Sequence, residues 1–152
     1  MAWIIAIKPK DKSNDWRAIK LENEAFELLN KKINVISLFC YVFEGKISKE
    51  EAKRITEEFI VDSIVEDYYL FESEEEIYKE FKGLKISIHY KKGFINPDDE
   101  IIQRSFRMIL GEKILDLKTF VAYIVEGINE EEAKLVAEKI LANKLIHDVI
   151  IK

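Results

Sequence analysis

Side chains able to carry acid–base, metal or nucleophilic chemistry are few in this chain, which has two histidines, His89 and His147, and one cysteine, Cys40. Neither histidine has cysteine or carboxylate neighbours at the spacings that bind metals. The chain has no GxxxxGKS, GxxxxGKT or GxGxxG segment to cradle phosphate, and no serine in a nucleophile elbow. We therefore predict no catalytic, cofactor-binding or metal-binding residues.

Acid-rich runs at residues 72–76 and 130–132 could in principle hold a cation. Acids in the first turn of a helix complement the helix dipole and point into water. We therefore interpret both runs as helix starts.

Basic residues follow the first predicted strand in each half of the chain: Lys8, Lys10 and Lys12 in one, Lys91 and Lys92 in the other. Such lysines are typical of a solvated loop. They also suit contact with an acidic partner surface or a phosphate group.

Composition limits the class of protein. The net charge of −5 over 152 residues argues against nucleic-acid binding, which relies on neutralising phosphates. No apolar run is long enough to span a membrane, and the first residues do not read as a signal peptide, so we expect a cytoplasmic protein. The richness in Glu, Lys and Ile suggests a thermophilic source. Cys40, inside the run LFCYVF, is expected to be buried.

The chain contains an internal repeat. Residues 48–71 align without a gap on residues 129–152, and Glu50, Glu51, Ala52, Lys53, Glu57 and Asp67 recur 81 positions later. Each copy follows an apolar run that ends in Glu-Gly. A period of half the chain predicts a duplicated unit.

Hydrophobic periodicity and caps predict the same element order in both halves: strand, basic loop, helix, long strand, capped helix, strand. Ser48 with Glu51, and Asn129 with Glu132, form capping boxes, and Ala52, Ile55 and Phe59 are the predicted inner face of the helix after Ser48. The predicted units are residues 1–71 and 84–152, joined by a connecting helix at 72–83. The predicted strands are residues 3–7, 35–43, 64–71, 84–88, 115–125 and 145–151, and the first helix of each unit is 15–32 or 98–110.

The long strands contain FCYVF and FVAYIV, which are apolar at every position. A sheet with one wet face would alternate apolar and polar residues, so both faces are expected to be buried. We predict an α+β fold of two β-α-β-α-β units, with two sheets packed face to face, helices outside and one shared core.

The second half resembles the PurS subunit family of phosphoribosylformylglycinamidine synthase. Lys92 and Gly93 are followed by two apolar residues and then Asn96-Pro97, where the family usually has Asp-Pro. The segments LANKLIHDVII and DSIVEDYYLF are similar to the family's C-terminal segment. The second half is equally similar to the N-terminal region of the large single-chain enzyme, which is a tandem of two PurS-like, ferredoxin-like-related units that mimics a dimer. The resemblance covers essentially the whole chain, as two consecutive units.

This resemblance implies a role in purine biosynthesis. The family's enzyme converts formylglycinamide ribonucleotide, glutamine and ATP to formylglycinamidine ribonucleotide, glutamate, ADP and phosphate. PurS itself is non-catalytic and bridges the small synthetase subunit and the glutaminase subunit, so these are the implied partners, and no activity is expected from the chain alone. A further homo-oligomer is left open. The candidate partner-contact residues are Lys92, Gly93, Asn96 and Pro97, joined by the loop lysines Lys8 and Lys10.

The sequence also departs from the family. Where PurS proteins usually have Arg-x-Gly-Lys at the start of the long strand, residues 37–40 read SLFC and residues 118–121 read KTFV. The first half lacks the Gly and Asn-Pro loop. Two alternatives therefore stay open: a regulatory module that binds a small molecule between its units, and an independent enzyme.

Overall fold

The computed structural model describes residues 2–94 and 96–152, except for the side chains of Glu112, Ile114 and Leu115. It is a mixed α+β structure in which each half has the order strand, helix, strand, helix, strand. The strands are β1 (Ala2–Pro9), β2 (Asn34–Gly45), β3 (Glu66–Phe71), β4 (Leu84–Tyr90), β5 (Ile114–Glu126) and β6 (His147–Ile151). The helices are α1 (Trp16–Leu29), α2 (Lys49–Ile55), α3 (Glu74–Glu80), α4 (Pro97–Leu110) and α5 (Glu130–Val136).

All six strands belong to one antiparallel sheet in the order β3-β1-β2-β5-β4-β6. The long strands β2 and β5 form its centre, and Phe39 lies opposite Val121. The cross-strand pairs are symmetric about this point: Ser37 lies opposite Tyr123, and Tyr41 lies opposite Thr119.

The prediction of two sheets packed face to face is wrong, because the two halves join edge to edge. The fully apolar strands correctly indicated that both faces are buried, and Cys40 is buried as expected. One face is covered by α1, α2, α4 and α5. The other is covered by the connecting segment, from which Ile77 of α3 joins the core cluster that contains Cys40 and Phe120. A helix crossing the sheet thus does what a second sheet was expected to do.

Local signals for the helix starts are confirmed. The capping boxes at Ser48 with Glu51 and at Asn129 with Glu132 are both formed. α1 is capped by Asp15, whose side chain accepts a hydrogen bond from the Ala18 amide at 3.2 Å. Each of these side chains satisfies an amide that has no partner within its helix.

The ends of α2 and α5 differ from the prediction. Each helix continues into a wider π turn, closed by hydrogen bonds of 2.9 Å from the Val61 amide to the Thr56 carbonyl and from the Ala142 amide to the Ala137 carbonyl. Because this turn is wider than an α turn, Phe59 rotates away from the core and is 54% exposed, whereas Ala52 and Ile55 point inward as expected.

Helices from the two halves pack beside each other. α1 shares a core cluster with α5, through residues such as Leu21 and Val136, and α2 shares one with α4, through Ile55 and Phe106. The two halves therefore share core clusters. The unit boundaries at 71 and 84 stay a prediction.

Candidate functional site

The loop between β4 and α4 contains three of the predicted contact residues, Lys92, Gly93 and Asn96, and the fourth, Pro97, is the first residue of α4. The loop opens with a turn in which the Phe94 amide donates a hydrogen bond of 2.9 Å to the Lys91 carbonyl. Gly93 adopts a φ of +93°, and a Cβ placed on it would meet no atom within 4 Å. The backbone conformation, rather than crowding, therefore favours glycine here. The Lys92 and Phe94 side chains are exposed; Ile95, within the predicted loop, lies outside the described residues.

Asn96 and Pro97 begin α4. The Asn96 side-chain oxygen accepts a hydrogen bond of 3.1 Å from the Asp98 amide, and Pro97 occupies the first helical position. Proline suits this position because its missing N–H would have no partner within the helix. These two residues therefore set the direction in which the loop enters the helix.

A buried carboxylate anchors this helix start to the sheet. Asp99, 8% exposed, accepts hydrogen bonds from the Thr119 hydroxyl at 2.5 Å and from the Thr119 amide at 3.2 Å. Burial raises the pKa of the Asp99 carboxyl, although the Thr119 hydrogen bonds oppose the shift. This contact was not predicted from the sequence. The available signal was an Asp at a helix start and a hydroxyl residue in the next strand.

The same contact exists in the first half. Asp15 accepts hydrogen bonds from the Ser37 hydroxyl at 2.5 Å and from the Ser37 amide at 2.9 Å. Ser37 and Thr119 are the residues related by the symmetric pairing of β2 and β5. Both halves thus fasten their first helix to their long strand with a carboxylate.

The loop and its anchor line a cleft of about 630 Å³. Lys92, Gly93 and Asn96 lie on this cleft together with Lys118, whose ammonium is 3.7 Å from the Asp116 carboxylate. The volume suits a small molecule, but most of the residues that line the cleft are charged or polar, whereas small-molecule pockets are lined mainly by hydrophobic and aromatic side chains.

The first-half lysines lie elsewhere. Lys10 lines a different cleft beside β3 and is 3.8 Å from Asp67, and Lys8 lies opposite Asp67 in the β1–β3 register. The structure therefore brings Lys92, Gly93 and Asn96 together but does not add Lys8 or Lys10 to them. Lys12 is also engaged, since its ammonium donates to Glu22 at 2.6 Å and to the Val35 carbonyl.

Both histidines have structural partners. His89 Nε2 is 3.1 Å from Glu74 Oε1, and its ring stacks on Phe120 with the centroids 4.3 Å apart. Burial raises the pKa of the Glu74 carboxyl, but the contacts with His89 and Tyr78 outweigh it and leave that pKa lowered. His147 Nδ1 accepts a hydrogen bond of 3.0 Å from the Asn143 amide. His89 thus ties α3 to the sheet, and His147 closes a turn.

The described residues contain neither a metal-binding cluster nor a membrane-spanning helix. No group of three or more His, Cys, Asp or Glu side chains in residues 2–94 and 96–152 is placed to hold a metal ion. Every helix in these ranges is too short or too polar to cross a bilayer.

Comparison with known proteins shows that part of this chain is similar to a subunit of an enzyme complex. The chain is 37% identical over 73 residues to the phosphoribosylformylglycinamidine synthase subunit PurS of Methanocaldococcus jannaschii. The alignment covers 44% of this chain and 88% of that subunit. No family model matches the chain. Less than half of this chain therefore aligns with nearly the whole length of that subunit.

Proposed function

We propose, because this chain belongs to the PurS family, that it is an assembly subunit of phosphoribosylformylglycinamidine synthase and acts in cytoplasmic purine biosynthesis. The observation that carries the proposal is the 37% identity over 88% of a protein named as a subunit of that synthase. An assembly role also agrees with the structural engagement of both histidines.

The chain is further proposed to be a tandem of two PurS-like units, residues 1–71 and 84–152, that takes the place of a PurS dimer. Supporting this, the relative accounts for only 44% of the chain. In a two-fold dimer, a contact from residue i to j is matched by one from j to i. Reciprocal ion pairs of this kind join the two halves: Lys31 to Glu132 at 2.9 Å, and Lys113 to Glu51 at 2.7 Å.

The tandem is proposed to bridge the synthetase subunit and the glutaminase subunit without chemistry of its own. Its two halves are not equivalent as contact surfaces. The second half has the exposed Lys92 beside Gly93 and an open cleft, whereas the first half has Lys12 engaged with Glu22. Fusing two units into one chain would allow each half to specialise for one partner.

Reconstitution tests the proposal. The synthetase and glutaminase subunits are assayed for formylglycinamidine ribonucleotide formation with and without this chain, using either glutamine or ammonium as the nitrogen source. We expect the chain to be required with glutamine and to matter far less with ammonium, because a bridge is needed only when ammonia must pass between subunits. Equal glutamine-dependent rates with and without the chain would contradict the proposal.

A charge-reversal pair tests the contact residues. Lys92→Glu should weaken complex formation, as measured by co-purification and by the glutamine-dependent rate. Lys20→Glu, on the exposed surface of α1, is the matched control and should leave both unchanged. Equal behaviour of the two variants would exclude Lys92 from the partner surface.

A further inference from the structure

The outer strands β3 and β6 each have one backbone edge without a strand partner among the described residues. Such an edge presents N–H and C=O groups that can pair with a strand of another molecule. A cleft lies beside each edge, of about 650 Å³ at β3 and about 560 Å³ at β6. Both ends of the sheet therefore offer a surface for association.

The cleft at β3 is acidic. Glu57, Glu66 and Asp67 line it, and Lys10 is the one basic residue among its described lining residues. The Glu57 carboxylate accepts a hydrogen bond of 2.6 Å from the Tyr68 hydroxyl, which fixes its position. Three carboxylates against one lysine leave a negative surface at this end of the sheet.

The cleft at β6 has the opposite balance. Lys91, Lys134 and Lys144 line it, against Glu138 and Asp148. Lys144 is 3.1 Å from Glu138, whereas Lys91 and Lys134 have no ion-pair partner among the described residues. This end of the sheet therefore has lysines available for an acidic surface.

Each end also presents an exposed aliphatic side chain on a hydrogen-bonded turn. Ile64 is 83% exposed and Leu145 is 77% exposed. Their amides donate hydrogen bonds of 3.1 Å to the Asp62 side chain and 3.0 Å to the Asn143 side chain. Strands β3 and β6 consequently start two residues later than the sequence predicted. Burial of these exposed apolar side chains would favour association at either end of the sheet.

We propose that the β6 edge of one copy of this chain docks on the β3 edge of a second copy, extending the sheet head to tail. Neighbouring strands are antiparallel throughout the six-stranded sheet, so β3 and β6 run in opposite directions. A second copy in the same orientation would therefore continue the antiparallel pairing, with its four covering helices on the same face.

Charge selects this arrangement over the two symmetric ones. Pairing β3 with β3 would bring Glu57, Glu66 and Asp67 against the same acids, and pairing β6 with β6 would bring lysines together. Like charges across an interface oppose association, whereas β6 against β3 brings lysines to carboxylates. Such a contact leaves a free edge on each copy, so it continues into a ring or a chain.

Sedimentation velocity of the full chain tests the proposal. At about 0.05 M salt the mass should exceed the 17.9 kDa of one chain and rise with protein concentration. At about 0.5 M salt it should return toward one chain, because exposed ion pairs are screened. A chain that stays monomeric at every concentration in low salt would overturn the inference.

Charge-reversal variants identify the edges. Lys91→Glu with Lys144→Glu should abolish association, and so should Glu57→Lys with Glu66→Lys; circular dichroism confirms that each variant is folded. Mixing the two variants should restore association, because every acidic edge then meets a basic one. A mixture that remains monomeric, or a variant that still associates alone, would contradict pairing of β6 with β3. Neither outcome depends on the proposed synthase role.

Discussion

Lys31, just after α1 in the first half, places its ammonium 2.9 Å from Glu132, which belongs to the capping box of α5 in the second half. The reciprocal pair joins Lys113 to Glu51 of the other capping box. Each glutamate therefore both caps a helix and binds the other half. In each pair, a lysine that follows a helix of one half therefore holds the capping glutamate at the start of a helix in the other half.

We expect Lys31→Ala and Lys113→Ala each to lower Tm by about 1–3 °C, because ion pairs at a partly exposed surface are weak. The two losses should add, since the pairs are separate. Lys20→Ala, which removes a pair with Glu24 at 4.0 Å within α1, is the control. Thermal unfolding followed by circular dichroism gives the comparison; a double variant no less stable than either single one would contradict independent pairs.

These pairs also predict a pH dependence. The hydrogen bond from Lys113 and the Ser48 amide lower the pKa of Glu51, and Lys31 and the Asn129 amide do the same for Glu132. A carboxylate whose pKa is lowered by folding stabilises the folded protein at pH values above its pKa in the unfolded chain, about 4.3. This stabilisation is lost as the pH falls through the pKa in the folded state. The Tm difference between wild type and Lys31→Ala should therefore shrink in acid. A constant difference down to about pH 2 would argue against the pair.

The anchor between Asp99 and Thr119 predicts a larger effect. Thr119→Val keeps the shape of the side chain but removes the hydroxyl that donates to Asp99, so we expect a loss of about 1.5–3 kcal/mol in the free energy of unfolding. Ser37→Ala, which removes the matching donor to Asp15, should cost a similar amount. Urea unfolding measures both. A loss below about 0.5 kcal/mol for both variants would mean that the anchors add little.

Asp99 itself should give the opposite pH trend to Glu51. Burial raises the pKa of Asp99, so its contribution to the stability of the fold is greatest at pH values below its pKa in the unfolded chain, about 3.9. That contribution declines as the pH rises through the raised pKa in the folded state. Asp99→Asn should remove this decline, which a series of urea titrations between about pH 4 and pH 7 would detect. Parallel pH profiles for wild type and variant would show that burial does not raise this pKa.

Ile77 is the fully buried residue of α3, the helix on the second face of the sheet. Ile77→Ala should cost about 2–4 kcal/mol, because it removes buried methyl groups and leaves a cavity in the core cluster that contains Cys40 and Phe120. Lys79→Ala, on the exposed side of the same helix, should change stability by less than about 0.5 kcal/mol. Similar losses for the two variants would mean that α3 does not cover this face.

Glycine is favoured at Gly93 and Gly83 for different reasons. Gly93→Ala should cost about 1 kcal/mol from the left-handed φ alone, since no atom lies near its Cβ position. Gly83→Ala should cost more, because it adds a clash at 2.7 Å with the Val125 carbonyl to a φ of +109°. Unfolding of both variants in urea tests the order, and equal losses would contradict it.

Features encoded within a few residues were predictable from the sequence. Patterns within a few consecutive residues predicted the two capping boxes, the burial of Cys40 and the burial of both faces of the long strands. The anchors of Asp15 and Asp99 were not predicted, because recognising them requires knowing that a helix start lies against a strand about 20 residues away.

By itself, the amino-acid sequence determined the order of the elements in each half and the likeness to PurS. Only the tertiary structure decided that the halves join through β2 and β5, that α3 covers the second face, and that the outer edges differ in charge. The physical reason is that side-chain periodicity records which faces of a strand are buried. Pairing along the edges of a strand uses the backbone N–H and C=O groups, which nearly every residue has. The pattern of side chains therefore gives little information on which strands are neighbours.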